Sequence, residues 1–333
     1  MVGMTSEPRP KRFPPPKFPP RRTAAFARTP PAIFPPILGL LGLAIALRLA
    51  SGQMALDPGP AELLAGVAVA LWLFAAFAYG VKVVRRPGVV VEDLRVLPGR
   101  SGLAALSMGG MAAATLIAPH AGALTQGLIV LSLLVHGVLA VLLLRLLARM
   151  PAEGRQVNPT LHLGFVGSIV AGPAAVAVGW PGLATVLFWV TLPVAVAIWG
   201  LSARQFANSV PPPPLRPLLA IHVAPAALLA SVAALLGMVG LSTVLGIAGL
   251  ALALVLAVSV RWLLAAGITP MWGALTFPLA ALGAALIRVG GVWEMAGIGL
   301  TALALGVIPA ILWWVLKRWP EGRLAAVTNA AEA

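Results

Sequence analysis

The side chains able to carry acid–base, nucleophilic or metal chemistry are few in this chain, and their spacing assembles no catalytic set. The four histidines, His120, His136, His162 and His222, lie far apart in sequence. No pair of them has the helical or short-loop spacing of metal ligands. There is no cysteine, which removes disulfides, thiolate catalysis and Cys-ligated metals. The nine acidic residues, Glu7, Asp57, Glu62, Glu92, Asp93, Glu153, Glu294, Glu321 and Glu332, fall in tails, loops or the ends of apolar segments. A Ser–His–Asp arrangement is therefore disfavoured, because no carboxylate at depth would orient the imidazole. Cation sites and proton relays in apolar surroundings usually depend on buried carboxylates as well. The expectation is a protein that is not an enzyme, with no cofactor and no metal. The histidines read as satisfied structural groups, with His162 and His222 retained as candidates for polar contacts. Basic residues are plentiful by contrast, and the formal net charge is +14. A path free of acids through a positive protein suits anions, although neutral solutes would also pass.

The elements that must position these residues are apolar and long. Hydrophobic residues make up 60% of the 333 residues and charged ones 10%, with a mean hydropathy of +0.99. A soluble domain needs roughly a quarter of its residues charged, so that class is excluded. Low-charge runs fall near 31–50, 60–81, 101–119, 124–147, 160–178, 181–200, 216–237, 240–260, 269–290 and 293–316. Each is about 19–24 residues, the length at which a helix crosses ~30 Å of hydrocarbon. Threading the runs through a membrane in order places nearly all basic residues on one side, and only Arg48 and Arg288 on the other. Basic short loops stay cytoplasmic. The chain therefore reads as a multi-pass protein of the cell (inner) membrane, with both termini in the cytoplasm and five hairpins inserted from that side. The turns on the opposite side are very short, at Pro119–Leu124, Gly179–Gly182 and Gly237–Gly240. The basic loops have no interleaved aromatic patch, so anionic lipid headgroups suit them better than nucleic acid.

Three regions follow. Residues 1–29 form a Pro/Arg/Lys-rich arm that cannot bury a core and is expected to be a disordered cytoplasmic segment. A cleaved signal peptide is the rival reading of this end, but its charged lead is long and its apolar run starts at Phe34-Pro35-Pro36. Residues 30–320 form the transmembrane domain, and 321–333 a frayed cytoplasmic tail. The fold class is all-α and polytopic, with ten helices as five hairpins.

Odd and even helices differ in their helix breakers. Pro35 and Pro36, Pro173, Pro225 and Pro278 fall on odd helices, and Gly109-Gly110 stands in the third. Among even helices only the sixth (Pro193) and tenth (Pro309) carry an interior proline. An interior proline frees a backbone carbonyl, which a bilayer tolerates only where protein or a water-filled cavity covers it. The odd helices thus read as an inner ring around a polar path, with Pro36, Gly109, Gly110, Pro173, Pro225 and Pro278 as its kinks. Phe277, beside Pro278, could fold across a narrow pore; by pattern alone, packing against lipid or a neighbouring helix is the favoured role. Arg48 and Arg288 end odd helices on the far side and would flank the pore's outer mouth. The competing reading pairs Arg48 with Asp57 and Arg288 with Glu294.

Four stretches carry a family resemblance: FPPILGLLGLAIALR at 34–48, NPTLHLGFVGSIVAGP at 158–173, PLRPLLAIHVAPAALL at 214–229 and WGALTFPLAAL at 272–282. They fall on four of the five odd helices. In these residues the chain resembles the tellurite-resistance/dicarboxylate transporter family, which includes a bacterial tellurite-resistance channel and the plant slow anion channels. The resemblance implies five hairpins around a central pore lined by the odd helices, kinked at proline. It also implies a homotrimer with one pore per subunit, and a phenylalanine on the ninth helix that blocks the pore. Phe277, in its TFP motif, is the matching position, which reverses the preference for packing. The implied activity is passage of small anions, with a coupled carrier of C4-dicarboxylates such as malate, or of oxyanions such as tellurite, as the alternative.

Overall fold

A computed structural model of the chain describes residues 24–151 and 155–333. Most of the arm expected over 1–29 lies outside the described residues. The described chain is helical throughout, with no strand among those residues. Ten helical segments occupy the ten apolar runs: α1 (Pro31–Gln53), α2 (Gly59–Arg85), α3 (Leu97–Ile117), α4 (Gly122–Arg149), α5 (residues 160–177), α6 (Pro181–Asn208), α7 (Pro213–Leu235), α8 (Val239–Val258), α9 (Pro270–Val289) and α10 (Gly291–Leu316). Eight of them are long and apolar enough to cross a membrane. The other two are α3, whose first turns carry Pro98, Arg100 and Ser101, and α5. The latter is divided into Thr160–Phe165, a 3-10 turn Gly167–Ala171, and Gly172–Ala177.

The odd helices form a closed ring. α1 packs on α3, α3 on α5, α5 on α7, α7 on α9, and α9 back on α1, while each even helix packs outside the odd helix before it. Burial follows that arrangement. In α1, α7 and α9, 72% of the apolar window is buried, against 22–33% in the five even helices. Outward residues such as Leu63, Phe77, Leu134 and Val255 are exposed and apolar, which suits a surface solvated by lipid. The ring's interior is built from Ala, Gly and Leu, small residues that allow close approach where no hydrophobic force draws helices together. Gly179, Gly237 and Gly290 close α5, α7 and α9 at φ +80, +75 and +75, left-handed values that glycine adopts without strain. These glycines are what keep three of the far-end hairpins so tight.

The prolines are placed differently from the expected interior kinks. α1 opens with a 3-10 turn Pro31–Ile33, and Pro36 stands in the first turn of the α-helix that follows. α7 opens with a 3-10 stretch Pro213–His222, and Pro225 stands in the first turn of Val223–Leu235. Pro173 is the second residue of the α-helix Gly172–Ala177, which follows the 3-10 turn of α5. A proline in a first turn costs no helical hydrogen bond, since its missing N–H has no partner there anyway. These three residues therefore mark transitions from 3-10 to α. Pro278 alone of the odd-helix prolines sits inside an unbroken α-helix, Gly273–Val289, beyond its first turn.

The end of the chain is also unlike its expectation. Residues 321–333, expected to fray, form a helix Arg323–Val327 with Leu324 and Ala325 buried, and then return to the bundle. Asp93, in the short helix Val89–Arg95, is the reason. Its Oδ1 accepts a hydrogen bond from Ala331 N at 2.8 Å, and its Oδ2 accepts from Tyr79 OH and Lys82 Nζ, each at 2.9 Å. Lys82 Nζ also donates to Thr29 O at 3.0 Å, and both charged side chains are fully buried. Ala333 N donates to Ala27 O, and Arg28 pairs with Glu332 at 3.0 Å. One buried ion pair thus gathers α2, the segment leading into α1, and the last residues of the chain.

Candidate functional site: two cavities inside the ring

Two cavities lie between the odd helices, one at each end of the ring. The first, at the end where the odd helices begin, is lined by Ala32 and Pro35 of α1, Pro98 and Ser101 of α3, Leu163 of α5, Leu218 and Ile221 of α7, and Pro270, Met271 and Ala274 of α9. The second lies toward the far end. All five odd helices line it: Gly42 and Ile45, Ala112 and Thr115, Val170 and Pro173, Leu228 and Ser231, and four residues of α9. Those four, Phe277, Ala281, Ala284 and Arg288, have the i, i+4, i+7, i+11 spacing of one helix face. On α9 the change from one cavity to the other falls within a single turn, between Ala274 and Phe277.

Phe277 is buried, 5% exposed, and its ring rests on α1. A methyl built on Gly42 would lie 3.1 Å from Phe277 Cδ2 and 3.2 Å from Ala280 Cβ, so glycine at 42 makes room for the ring. One turn earlier, a methyl on Gly39 would overlap Thr276. Thr276 Oγ1 lies 3.2 Å from Pro35 O and 2.7 Å from Gly273 O, so its one proton is shared between a carbonyl of α1 and one of its own helix. The residue before Phe277 therefore anchors α9 to the opening of α1.

Other candidates face elsewhere. A methyl on Gly109 would lie 2.5 Å from Trp72 Cδ1, and one on Gly110 would overlap Ser132 Oγ. The glycine pair thus receives side chains of α2 and α4 from outside the ring, where helix packing demands small residues. Pro173 lines the far-end cavity, whereas Pro36, Pro225 and Pro278 are not among the lining residues of either cavity. His162 and His222, far apart in sequence, meet across α5 and α7. Their Nε2 and Nδ1 share a hydrogen bond at 3.0 Å, and Trp199 Nε1 of α6 donates to His222 O at 3.1 Å. Their chain neighbours Leu163 and Ile221 line the first cavity. His162 Nδ1 is buried without a partner in the described protein.

The two far-side arginines differ in their surroundings. Arg48 donates from Nε and Nη2 to the two carboxylate oxygens of Glu62, each at 2.7 Å, and from Nη1 to Leu116 O at 2.9 Å. His120 Nε2 stands 3.4 Å from the same carboxylate. The expected partner Asp57 is not used. Glu62 takes its place because α2 runs back along α1 and brings its first turn to the arginine. Arg288, half-buried, donates from Nη1 to Ser231 Oγ of α7 at 2.7 Å, with no contact to Glu294. It is the one charged residue in the lining of either cavity. Arg48→Gln is therefore expected to leave conductance close to the parent's at both low and high salt. Its effect on stability should be small, about 0–1 kcal/mol for a partly exposed pair, read as a slight fall in the unfolding midpoint. A conductance deficit confined to low salt, where the Debye length exceeds ~10 Å, would show instead that Arg48 attracts ions.

Sequence reading missed Gly42, Thr115 and Ser231. Their only signal was the i, i+3 spacing of 42/45, 112/115 and 228/231, which means little until the cavity face of each helix is known. Comparison with curated proteins finds no match. Across residues 28–317, covering the whole ring and both cavities, the sequence matches the voltage-dependent anion channel family (SLAC1), and the chain belongs to that family.

Proposed function

We propose that the ring of α1, α3, α5, α7 and α9 is a channel for small anions, with Phe277 as its closure. The family carries anions across membranes. The observation that carries the proposal is the pair of cavities lined by all five odd helices, whose linings on α9 change over between Ala274 and Phe277. A phenyl ring in an apolar constriction excludes water, and an ion that enters must then shed its hydration. Both ends of the chain would face the cytoplasm, as the asymmetry of basic loops favours. Three copies would assemble in the inner membrane, each with its own pore.

Selectivity would come from pore width, backbone dipoles and the protein's positive field rather than from a ring of fixed charges. The test is bilayer recording of the purified protein under asymmetric potassium chloride. A reversal potential near that of chloride is expected, with halides and nitrate ordered by ease of dehydration and with steady current under voltage. A reversal potential near that of potassium would overturn the reading.

A further inference from the structure

We propose that the far-end cavity contains a discrete binding site for one weakly hydrated monovalent anion, with Arg288 as its cation and the hydroxyls of Ser231 and Thr115 as its other donors. The proposal rests on the reading of the ring as an anion path.

Arg288 is the starting point. A guanidinium carries five N–H donors, and the bond to Ser231 Oγ employs one. Among the described residues no carboxylate comes within ion-pair distance of it. Arg48, at the same end of the bundle, has its charge answered by Glu62 through two bonds. A cation held against apolar walls without a counter-charge is costly, and an anion from solution relieves that cost. Ser231 and Thr115 stand on two other helices of the same cavity. Ser231 Oγ accepts the arginine's bond and still has its own proton to donate. Thr115 Oγ1 makes only a long bond, 3.4 Å, to Met111 O of its own helix, which a stronger acceptor in the cavity would replace. Donors from α3, α7 and α9 thus surround one volume.

The remaining lining defines the ligand. It is apolar, from Ile45 and Ala112 to Leu228 and Ala284. Strongly hydrated anions would lose more water there than three donors replace, whereas bromide, nitrate or thiocyanate give it up readily. A dicarboxylate or a divalent oxyanion would bring two charges to one cation and leave the second without compensation. Arg288 stands three turns beyond Phe277 on the same face, roughly 16 Å along the axis. The site therefore holds an ion outside the closure without touching it.

The test separates binding from passage. Crystals of the parent and of Arg288→Gln are soaked in sodium bromide and searched for anomalous scattering. Conductance is measured against bromide concentration in Phe277→Ala, with and without Arg288→Gln. Expected are a bromide peak at hydrogen-bond distance from the Arg288 guanidinium, its absence in Arg288→Gln, and conductance that saturates with arginine but rises linearly with glutamine. Malate at equal concentration should not displace the bromide. A parent cavity without a peak, a peak that survives Arg288→Gln, or displacement by malate would overturn the proposed site, whatever the channel conducts. A peak at Arg288 with no anion current in any variant would leave the site standing and overturn the channel reading instead.

Discussion

Phe277→Ala is expected to raise anion conductance at least tenfold while the protein remains folded. The ring that would be removed rests on Gly42 and borders a cavity already present, so its loss joins volumes lined by the same five helices. Each ~1.4 kcal/mol taken from a permeation barrier is worth a factor of ten in rate, and dehydrating an ion in an apolar constriction costs more than that. The cost to folding should lie below the ~3–5 kcal/mol of a phenylalanine removed from a filled core, because one side of the ring has no packing to lose. The Thr276 bond that holds α9 to α1 is untouched. Bilayer recordings of purified parent and variant, matched for size-exclusion profile, decide the matter. Equal conductance would place the closure elsewhere.

Asp93→Ala is expected to be the most destabilising single change on the basic side of the bundle, by about 3–5 kcal/mol. It strands the fully buried Lys82 ammonium and removes the acceptor of Tyr79 OH and Ala331 N at once. The decisive comparison is with Lys82→Met/Asp93→Leu. Replacing both charges by apolar groups of similar size often restores or exceeds the original stability, so the double variant should unfold at a higher temperature than Asp93→Ala. Limited proteolysis of the single variant should cut first within residues 321–333. An unfolding temperature equal to the parent's would mean that the pair contributes nothing to the fold.

What the sequence made legible was periodic or compositional. The apolar runs, the division into odd and even helices, and the importance of the TFP segment could all be read from residue type and spacing. The identity of helix faces could not. Gly109 and Gly110 mark a place where helices approach, and nothing in their own stretch says that Trp72 and Ser132 come from outside the ring. Pro36 and Pro225 look like interior breaks because a 3-10 lead and an α-helix share the same apolar composition. Nearness in sequence offers Asp57 as one partner for Arg48, but a bidentate bond to Glu62 is geometrically stronger and the return of α2 supplies it. Asp93 seemed a loop acid, and its burial depends on three segments that converge only in the folded chain. The arginine at 288 was the opposite case. Its separation of three turns from Phe277 already put it on the same face, and the missing fact was that this face is the interior.

The closure of the ring through α1 and α9 has a consequence for how the protein is made. The bond from Thr276 to Pro35 spans 241 residues, so α1 cannot meet its last neighbour until most of the chain has been synthesised. Until then the ring would stand open between α1 and its last neighbour, with its inner wall exposed to lipid. That wall can wait in a bilayer because its first four contributors, α1, α3, α5 and α7, offer the far-end cavity only apolar residues and neutral hydroxyls. Its single charged residue, Arg288, is delivered by the helix that shuts the ring.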